Sequence, residues 1–433
     1  MADLFGLDLR KRQFVTASLA KVVRLHGYEQ VEVPLVERAT SFSEDIVGRS
    51  PWPEWDVRGC FYMLVPDYSA SYNSEPTDTE ALLVPEGTIS VTRWLGRQLA
   101  ENPDMTFPVK LFYDMPCFRN EVVSDLTGLK RRQFTQFGLE VLGAEPGNSD
   151  IEAIYLIARC LEELGVPKNS TRVRVGDVGV FNRLIKLSQL DADAAIQVKE
   201  ALDALAECKA GKLPERAPGL VDQLTHVLDT GGVEPTLRAV WLKLAGTSDS
   251  INAVKVLQDS VIQEHLDRLL PLSEVLRDLG IWVEIDLSVV RSHEYYTGIA
   301  FEIDVIAADT VFVEVGGGGR YDKLVKHFVP GGPFDSIPAT GFAFGVERLV
   351  ELLDHLDLLH KAEELYTSIR LNVAPAEILM TPGLTPEGYL SAVRVAAGDR
   401  TTGRPVDIYL GKPDVVEQYA AARKIPQTVS CEP

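Results

Sequence analysis

Two short signatures, far apart in the chain, restrict its fold more than anything else in it. Arg119-Asn120-Glu121 is followed, after a basic stretch, by Arg132-Gln133-Phe134, and Gly345-Val346-Glu347-Arg348 closes a glycine-rich segment much later. On a strand, Arg119 and Glu121 face the same side, because side chains alternate with a period of two. A loop and a returning strand then bring Phe134 beside them, and Arg348 at a helix start supplies an opposite wall. These residue types fit an ATP site. Cations are needed at the α- and γ-phosphates, because charge grows there when a carboxylate attacks the α-phosphorus. The chemistry suggested is adenylation of a carboxylic acid. Each residue also has a plain structural reading. Arg119 and Glu121 fit an exposed ion pair equally well, and Phe134 fits a core aromatic as readily as a purine platform.

The chain has 433 residues, which predicts two or three domains rather than one core. A net charge of −20 argues against a protein built mainly to grip nucleic acid, though a local basic groove remains compatible with it. The densest basic cluster is Lys130-Arg131-Arg132, which suits ATP phosphates, an acceptor nucleic acid or a solvated loop end. Cys60, Cys117, Cys160, Cys208 and Cys431 are scattered without a CxxC pair, so free buried thiols in a cytoplasmic protein are expected rather than a zinc site or disulfides. No signal peptide and no apolar run of membrane-spanning length is read, so no membrane partner is expected.

Periodicity predicts a helix over residues 8–26 and an edge or interface strand at Val31–Leu35, where Pro34 cannot donate to a ladder. Residues 49–80 read as irregular, and 86–100 as a helix entered through Pro85. Strands at 109–114 and 134–142 flank the motif loop. Ser149-Asp150-Ile151-Glu152 reads as a capping box opening a helix through Glu163. Residues 176–278 read as nearly all helical, a packing domain without chemistry. Strands follow at 282–290, 299–306 and 311–315, then the run Gly316–Gly319, then a helix from Val346 to Leu365. The last segment reads as small α/β, with a helix near 389–397, a strand at 406–410, a helix at 414–423 and a strand at 428–430.

Two further stretches carry chemistry. In Arg291-Ser292-His293-Glu294-Tyr295-Tyr296-Thr297-Gly298, a phenol can hydrogen-bond a substrate and Arg can neutralise an anion, although paired tyrosines are also ordinary strand material. Gly316–Gly319 before Arg320-Tyr321-Asp322 allows close approach of a ligand to the backbone. It is neither a Walker A loop nor a dinucleotide fingerprint.

Taken together, these motifs resemble a class II aminoacyl-tRNA synthetase, and within that class histidyl-tRNA synthetase. Gly27–Glu37 resembles the first class motif, Phe118–Phe134 the second and Gly341–Arg348 the third. Pro85-Glu86-Gly87-Thr88, Arg291–Gly298 and Gly318-Gly319-Arg320-Tyr321-Asp322 resemble the histidyl branch. The resemblance implies an α+β fold: an antiparallel sheet flanked by helices, with a helical insertion and a small C-terminal α/β segment. It implies a catalytic core over 1–165 and 279–362, the insertion over 166–278, and a shortened anticodon-binding-like segment over 366–433. It also implies residue roles. Arg119 and Arg291 would hold the α-phosphate and Arg348 the γ-phosphate. Glu121, Phe134, Lys130 and Arg132 would serve the rest of ATP. Glu86, Thr88 and Gln136 would bind the substrate amino group, Glu140 and Tyr296 its imidazole, with Tyr295, Gly318 and Gly319 lining the same pocket. ATP with Mg²⁺, a histidine-like amino acid, possible tRNA binding and a homodimer follow from the same resemblance. The chain departs from the branch at Val84, where Arg is usual, and at Ser292-His293-Glu294; its second-motif loop is also longer. Two alternatives stand beside the ligase. One is the histidyl-synthetase-like regulatory subunit of ATP phosphoribosyltransferase. The other is a biosynthetic ligase with a non-tRNA acceptor.

Overall fold

The computed structural model describes residues 3–4, 6–47, 59–67, 77–120, 132–246, 249–290, 295–308, 310–329, 336–360, 377–381, 386–402, 404, 406–409, 413–422 and 425–430. The chain divides into two compact units, Met1–Leu358 and Leu359–Pro433.

The strands of the first unit are β1 (Glu29–Gln30), β2 (Val36–Arg38), β3 (Tyr62–Asp67), β4 (Thr77–Leu83), β5 (Val109–Phe118), β6 (Gln133–Leu142), β7 (Thr171–Asp177), β8 (Trp282–Ile285), β9 (Ile299–Ile306), β10 (Val311–Arg320) and β11 (Ala339–Gly345). Eight of them make one sheet in the order β1-β5-β6-β11-β10-β9-β7-β8. Its neighbours are antiparallel except for the outer pairs β1/β5 and β7/β8. A smaller antiparallel sheet has the order β2-β4-β3.

The helices are α1 (Gly6–Leu25), α2 (Glu44–Val47), α3 (Gly87–Glu101), α4 (Asn148–Glu163), α5 (Val178–Ser188), α6 (Ala192–Ala210), α7 (Ala217–Thr230), α8 (Pro235–Gly246), α9 (Ser250–Lys255), α10 (Ser260–Asp278) and α11 (Val346–His355). Helices α1, α4 and α11 back one face of the large sheet, where Phe112, Phe137, Leu139, Phe342 and Phe344 are buried. The Phe112 and Phe137 rings stack 5.7 Å apart. Burial of these large side chains is the main force holding that layer.

The opposite face carries the chemistry-bearing residues, and strand register assigns them to it. Gln136, Gly138 and Glu140 of β6 stand opposite Gly345, Ala343 and Gly341 of β11. Gly317 and Gly319 of β10 continue the row, followed by Glu302 and Ala300 of β9. The glycines at the centre make room for larger side chains that lie across them, Tyr113 at Gly138, Glu140 at Gly341 and Tyr296 at Gly319.

Several elements depart from the sequence expectations. Residues 62–67 and 77–83 are paired strands, not irregular chain. Their prolines hide the pattern, yet Pro66 sits at the end of an outer strand, where a missing donor is tolerated. The strand expected at Val31–Leu35 is only Glu29–Gln30, extended by the Val31 N–H bonded to the Phe112 carbonyl at 2.9 Å. Pro34 lies between it and β2. The glycine run is not a loop after a strand; it lies inside β10, which continues to Arg320. The strand expected over 282–290 stops at Ile285, and Asp286 turns the chain by accepting from the Ser288 N–H and hydroxyl. The helix beginning at Val346 ends at His355, with 361–365 outside the described residues. Helix α4 starts at Asn148, and the reciprocal carboxylate is Asp150, which accepts from the Gly147 N–H at 3.0 Å. The near-helical stretch begins only after β7, which occupies Thr171–Asp177 in the large sheet.

In the second unit, β12 (Ile378–Thr381), β13 (Val406–Ile408) and β14 (Gln427–Ser430) form a parallel sheet in the order β13-β12-β14. Helices α12 (Pro386–Thr401) and α13 (Val416–Ala422) belong to it. Among the described residues Cys60, Cys117, Cys160 and Cys208 are buried cysteines outside any disulfide. No helix among them is long and apolar enough to cross a membrane.

Candidate active site

Glu140 is the most enclosed carboxyl group of the floor, with 1% of its surface exposed. Its carboxylate accepts from the Tyr113 hydroxyl at 3.3 Å and from the Tyr321 hydroxyl. Gly341 lies directly opposite, and a side chain there would overlap this carboxylate; only glycine leaves it room. Burial pushes the Glu140 carboxyl up to about 8, against hydrogen bonds from Tyr321, Thr88 and Tyr113 that hold it down.

Glu86 sits beside it at the start of α3. Its carboxylate caps that helix, accepting from the Thr88 N–H at 3.1 Å and the Ile89 N–H at 2.9 Å. Burial raises its pKa, with the cap bonds and the charge of Arg119 opposing. Gln136 reaches the same turn, its Oε1 accepting from the Gly87 N–H at 2.7 Å. Pro85-Glu86-Gly87-Thr88 is therefore locked onto the sheet by Gln136 and onto its own helix by Glu86. Tyr295 and Tyr296 are both buried, their rings 4.8 Å apart, and Tyr295 meets Tyr321 edge-on at 6.0 Å. A side chain at Gly319 would overlap the Tyr296 ring. Gly318, one residue back, is paired with Phe342 and turns to the helix-covered face.

Arg119 donates its Nε to the Pro85 carbonyl at 3.1 Å, and its guanidinium lies 5.2 Å from the Phe134 ring centroid. The motif cation, the proposed purine platform and the Glu86 turn thus meet at one end of β5 and β6. The Arg119 N–H is held by the Arg132 carbonyl at 2.9 Å, while the Arg132 side chain is exposed. Arg348, in the first turn of α11, donates to the Val313 carbonyl of β10. Glu347 turns to the back of the sheet and accepts from the Thr135 N–H at 2.8 Å and its hydroxyl at 3.0 Å. Helix α11 is thereby clamped to the strand that carries Phe134 and Gln136. Glu121, Lys130 and Arg291 lie outside the described residues. Among the described residues no group of three or more His, Cys, Asp or Glu side chains is arranged to hold a metal ion.

Sequence reasoning missed three residues of this floor. Tyr321 lies inside a quoted motif but had no role there. Tyr113 and Cys117 lie two-residue steps before Arg119 on β5, which places all three on one face.

A long antiparallel sheet with a glycine floor, a motif arginine on one hairpin and another at a following helix defines a class II aminoacyl-tRNA synthetase core. The comparisons agree: a family model for histidyl-tRNA synthetase matches residues 83–349, and the chain belongs to that family. It is 28% identical over 373 residues to histidine–tRNA ligase of Sulfolobus acidocaldarius, covering 82% of this chain and 74% of the relative. It is 29% identical over 356 residues to that of Clostridioides difficile, covering 81% and 73%. Among solved structures, one titled ATP phosphoribosyltransferase regulatory subunit/histidyl-tRNA synthetase from Bacillus halodurans superposes with a TM-score of 0.69 at 20% identity, covering 100% of this chain and 97% of that one. Apo histidyl-tRNA synthetase of S. aureus gives 0.60 at 20% identity, covering 100% and 90%.

Proposed function

We propose that this protein activates histidine with ATP, forming histidyl-adenylate and pyrophosphate, and passes the acyl group to tRNA. The observation that carries the reading is the buried Glu140, held between two phenols on the same sheet face as Arg119 and Phe134. A carboxyl in that setting is poorly solvated, and a ligand that donates a hydrogen bond to it, as an imidazole N–H does, stabilises its ionised form. Glu86, Thr88 and Gln136 gather at the start of α3, with Thr88 reaching Glu140, and suit an α-ammonium group. The substrate carboxylate then faces the Arg119 end, where ATP stacks on Phe134.

In the reaction a carboxylate oxygen attacks the α-phosphorus and the bond to the bridging oxygen of pyrophosphate breaks. Arg119, with Arg291, neutralises charge growing on the α-phosphoryl oxygens, and Arg348 holds the leaving pyrophosphate. Glu121, Lys130 and Arg132 complete the contacts to ATP. Catalysis of this kind rests on positioning and preorganised charge, without a protein nucleophile. Mg²⁺ would enter with ATP as the counter-ion of its phosphates.

A homodimer is part of the same proposal. Tyr62 and Leu64 are large apolar side chains exposed on one face of the small β2-β4-β3 sheet and Val36 and Val65 on the other, with Leu35 beside it, apolar surface that a second copy would cover in part.

Pyrophosphate exchange across all twenty amino acids tests the reading. Exchange confined to histidine supports it, and comparable exchange with leucine removes the substrate assignment. A second reading is favoured by the full-length match to the regulatory-subunit-titled structure. Absence of exchange with every amino acid would transfer the protein to that regulatory role.

A further inference from the structure

Strand β10 is irregular beside the candidate ATP site. Between the pairs Phe312↔Val305 and Gly316↔Ile303 it has three residues where β9 has one. Inside this bulge Glu314 has φ 56°, a left-handed conformation that L-residues other than Asn, Asp and Gly seldom adopt. The strained turn is held from below. The Glu314 N–H donates to Asp304 Oδ1 at 3.0 Å. Asp304 is fully buried, and its carboxylate is itself fixed by Arg172 at 2.9 Å and Arg174 at 2.7 Å. From above, Lys212 bridges Glu207 at the end of α6 and Glu314 at 3.5 Å. The result of the bulge is that the Val313 carbonyl leaves the ladder and meets the Arg348 guanidinium.

We propose that this bulge is a positioning device for Arg348: Asp304, by holding the Glu314 N–H, sets the backbone turn that aims the Val313 carbonyl at the guanidinium. The inference rests on the reading that Arg348 meets the ATP phosphates. Bulges next to sites commonly re-aim a group, and backbone strain persists where the surroundings over-determine it. Here the over-determination is visible as a fully buried carboxylate with two arginines and a backbone N–H on it. A guanidinium has five donors in a rigid fork. One donor fixed to a carbonyl sets the direction of the others, so a long flexible side chain arrives preorganised for phosphate. Asp304 is a positioning residue in this scheme, since it reaches ATP only through Glu314, Val313 and Arg348. Arg174 also donates to the Ala206 carbonyl and Arg172 to the Ala210 carbonyl of α6, so with Lys212 and Glu207 the helical segment meets the device at three points.

The test compares Glu314→Gly, Glu314→Ala and Glu314→Val in the full chain. All three remove the carboxylate and its contact with Lys212, and they differ in how readily the backbone adopts positive φ, easiest for Gly and hardest for Val. ATP affinity measured by calorimetry should fall in that order, with Val about tenfold weaker than Gly, the scale of one charge-assisted hydrogen bond. In an Arg348→Ala background the Gly–Val difference should vanish, because the backbone acts through that side chain. A merely structural bulge would lower thermal stability in the same order while leaving ATP affinity alone. Equal affinity in the three variants overturns the proposal, as does a Gly–Val difference that survives without Arg348. Should the Val variant fail to fold, the Gly–Ala pair decides. Pyrophosphate exchange is measured in parallel. Wild-type protein that binds ATP without exchange refutes the adenylation reading alone, and wild-type protein that binds no ATP refutes both.

Discussion

Glu140→Gln should make this protein more stable and less active, and the stability gain should depend on pH in a defined way. The change keeps the size of the side chain and one carbonyl acceptor for the two phenols, and it removes the ionisable group. Burial raises the Glu140 carboxyl from 4.5 to about 8 in the folded chain. In the unfolded chain it titrates at its ordinary value. Below that ordinary value both states hold the proton, and wild-type stability suffers no loss. As pH rises toward 8 the unfolded state releases its proton and the folded state keeps it, so wild-type stability falls across that window. Above 8 both states are ionised and the loss is constant. Each tenfold change in proton affinity is ~1.4 kcal/mol, which sets a ceiling of ~5 kcal/mol at alkaline pH and ~3 kcal/mol near neutrality. The amide escapes this loss. Thermal unfolding should place the variant several degrees above wild type at alkaline pH, with the two converging at acid pH. Histidine-dependent pyrophosphate exchange should drop at least ~10²-fold, the scale for removing one designed polar partner at a site. A variant less stable than wild type at alkaline pH, or a difference that ignores pH, refutes the electrostatic argument. Undiminished exchange removes Glu140 from the substrate site.

Arg119→Ala and Arg348→Ala should each slow exchange by ~10²-fold or more while the protein stays folded, read by exchange kinetics beside a thermal scan. Gly341→Ala should destabilise by ~1–3 kcal/mol and weaken histidine binding, because the added methyl overlaps a carboxylate that Tyr321 and Tyr113 hold in place; denaturation and histidine titration check it. Leu64→Lys, at a side chain 66% exposed on β3, should shift light scattering from dimer to monomer, and a wild-type protein already monomeric at micromolar concentration refutes the dimer. Binding of tRNA should be weak and fall steeply with salt, since a chain of net charge −20 can attract a polyanion only through local patches such as Lys130-Arg131-Arg132; tight binding that ignores salt contradicts this.

The candidate site was easier to propose from the sequence than the sheet beneath it, and the physical reason differs from element to element. Arg119 and Phe134 stood out because phosphate and purine chemistry calls for those residue types at strand spacing, whereas Glu86, Gln136 and Glu140 came only with the family resemblance; the structure puts Gln136 and Glu140 on one face of β6 and the Glu86 turn against Gln136 and Arg119. The floor beneath them did not stand out, because its strand is written in glycine, which has poor strand propensity; Gly316–Gly319 lie in β10 only because Gly341 and its neighbours pair with them. Strand β7 was hidden by an inverted pattern. Val173 and Val175 alternate with Arg172 and Arg174 as a half-exposed strand would, yet the arginines point at buried Asp304 and Glu302 rather than at water. A charged residue reads as surface until its partner is known, and that partner is more than a hundred residues away. Long-range pairing of this kind, and not local propensity, decides where the ion cluster sits. It is also why a fully buried Asp on β9 can shape the backbone next to Arg348, a coupling that no window of the sequence contains.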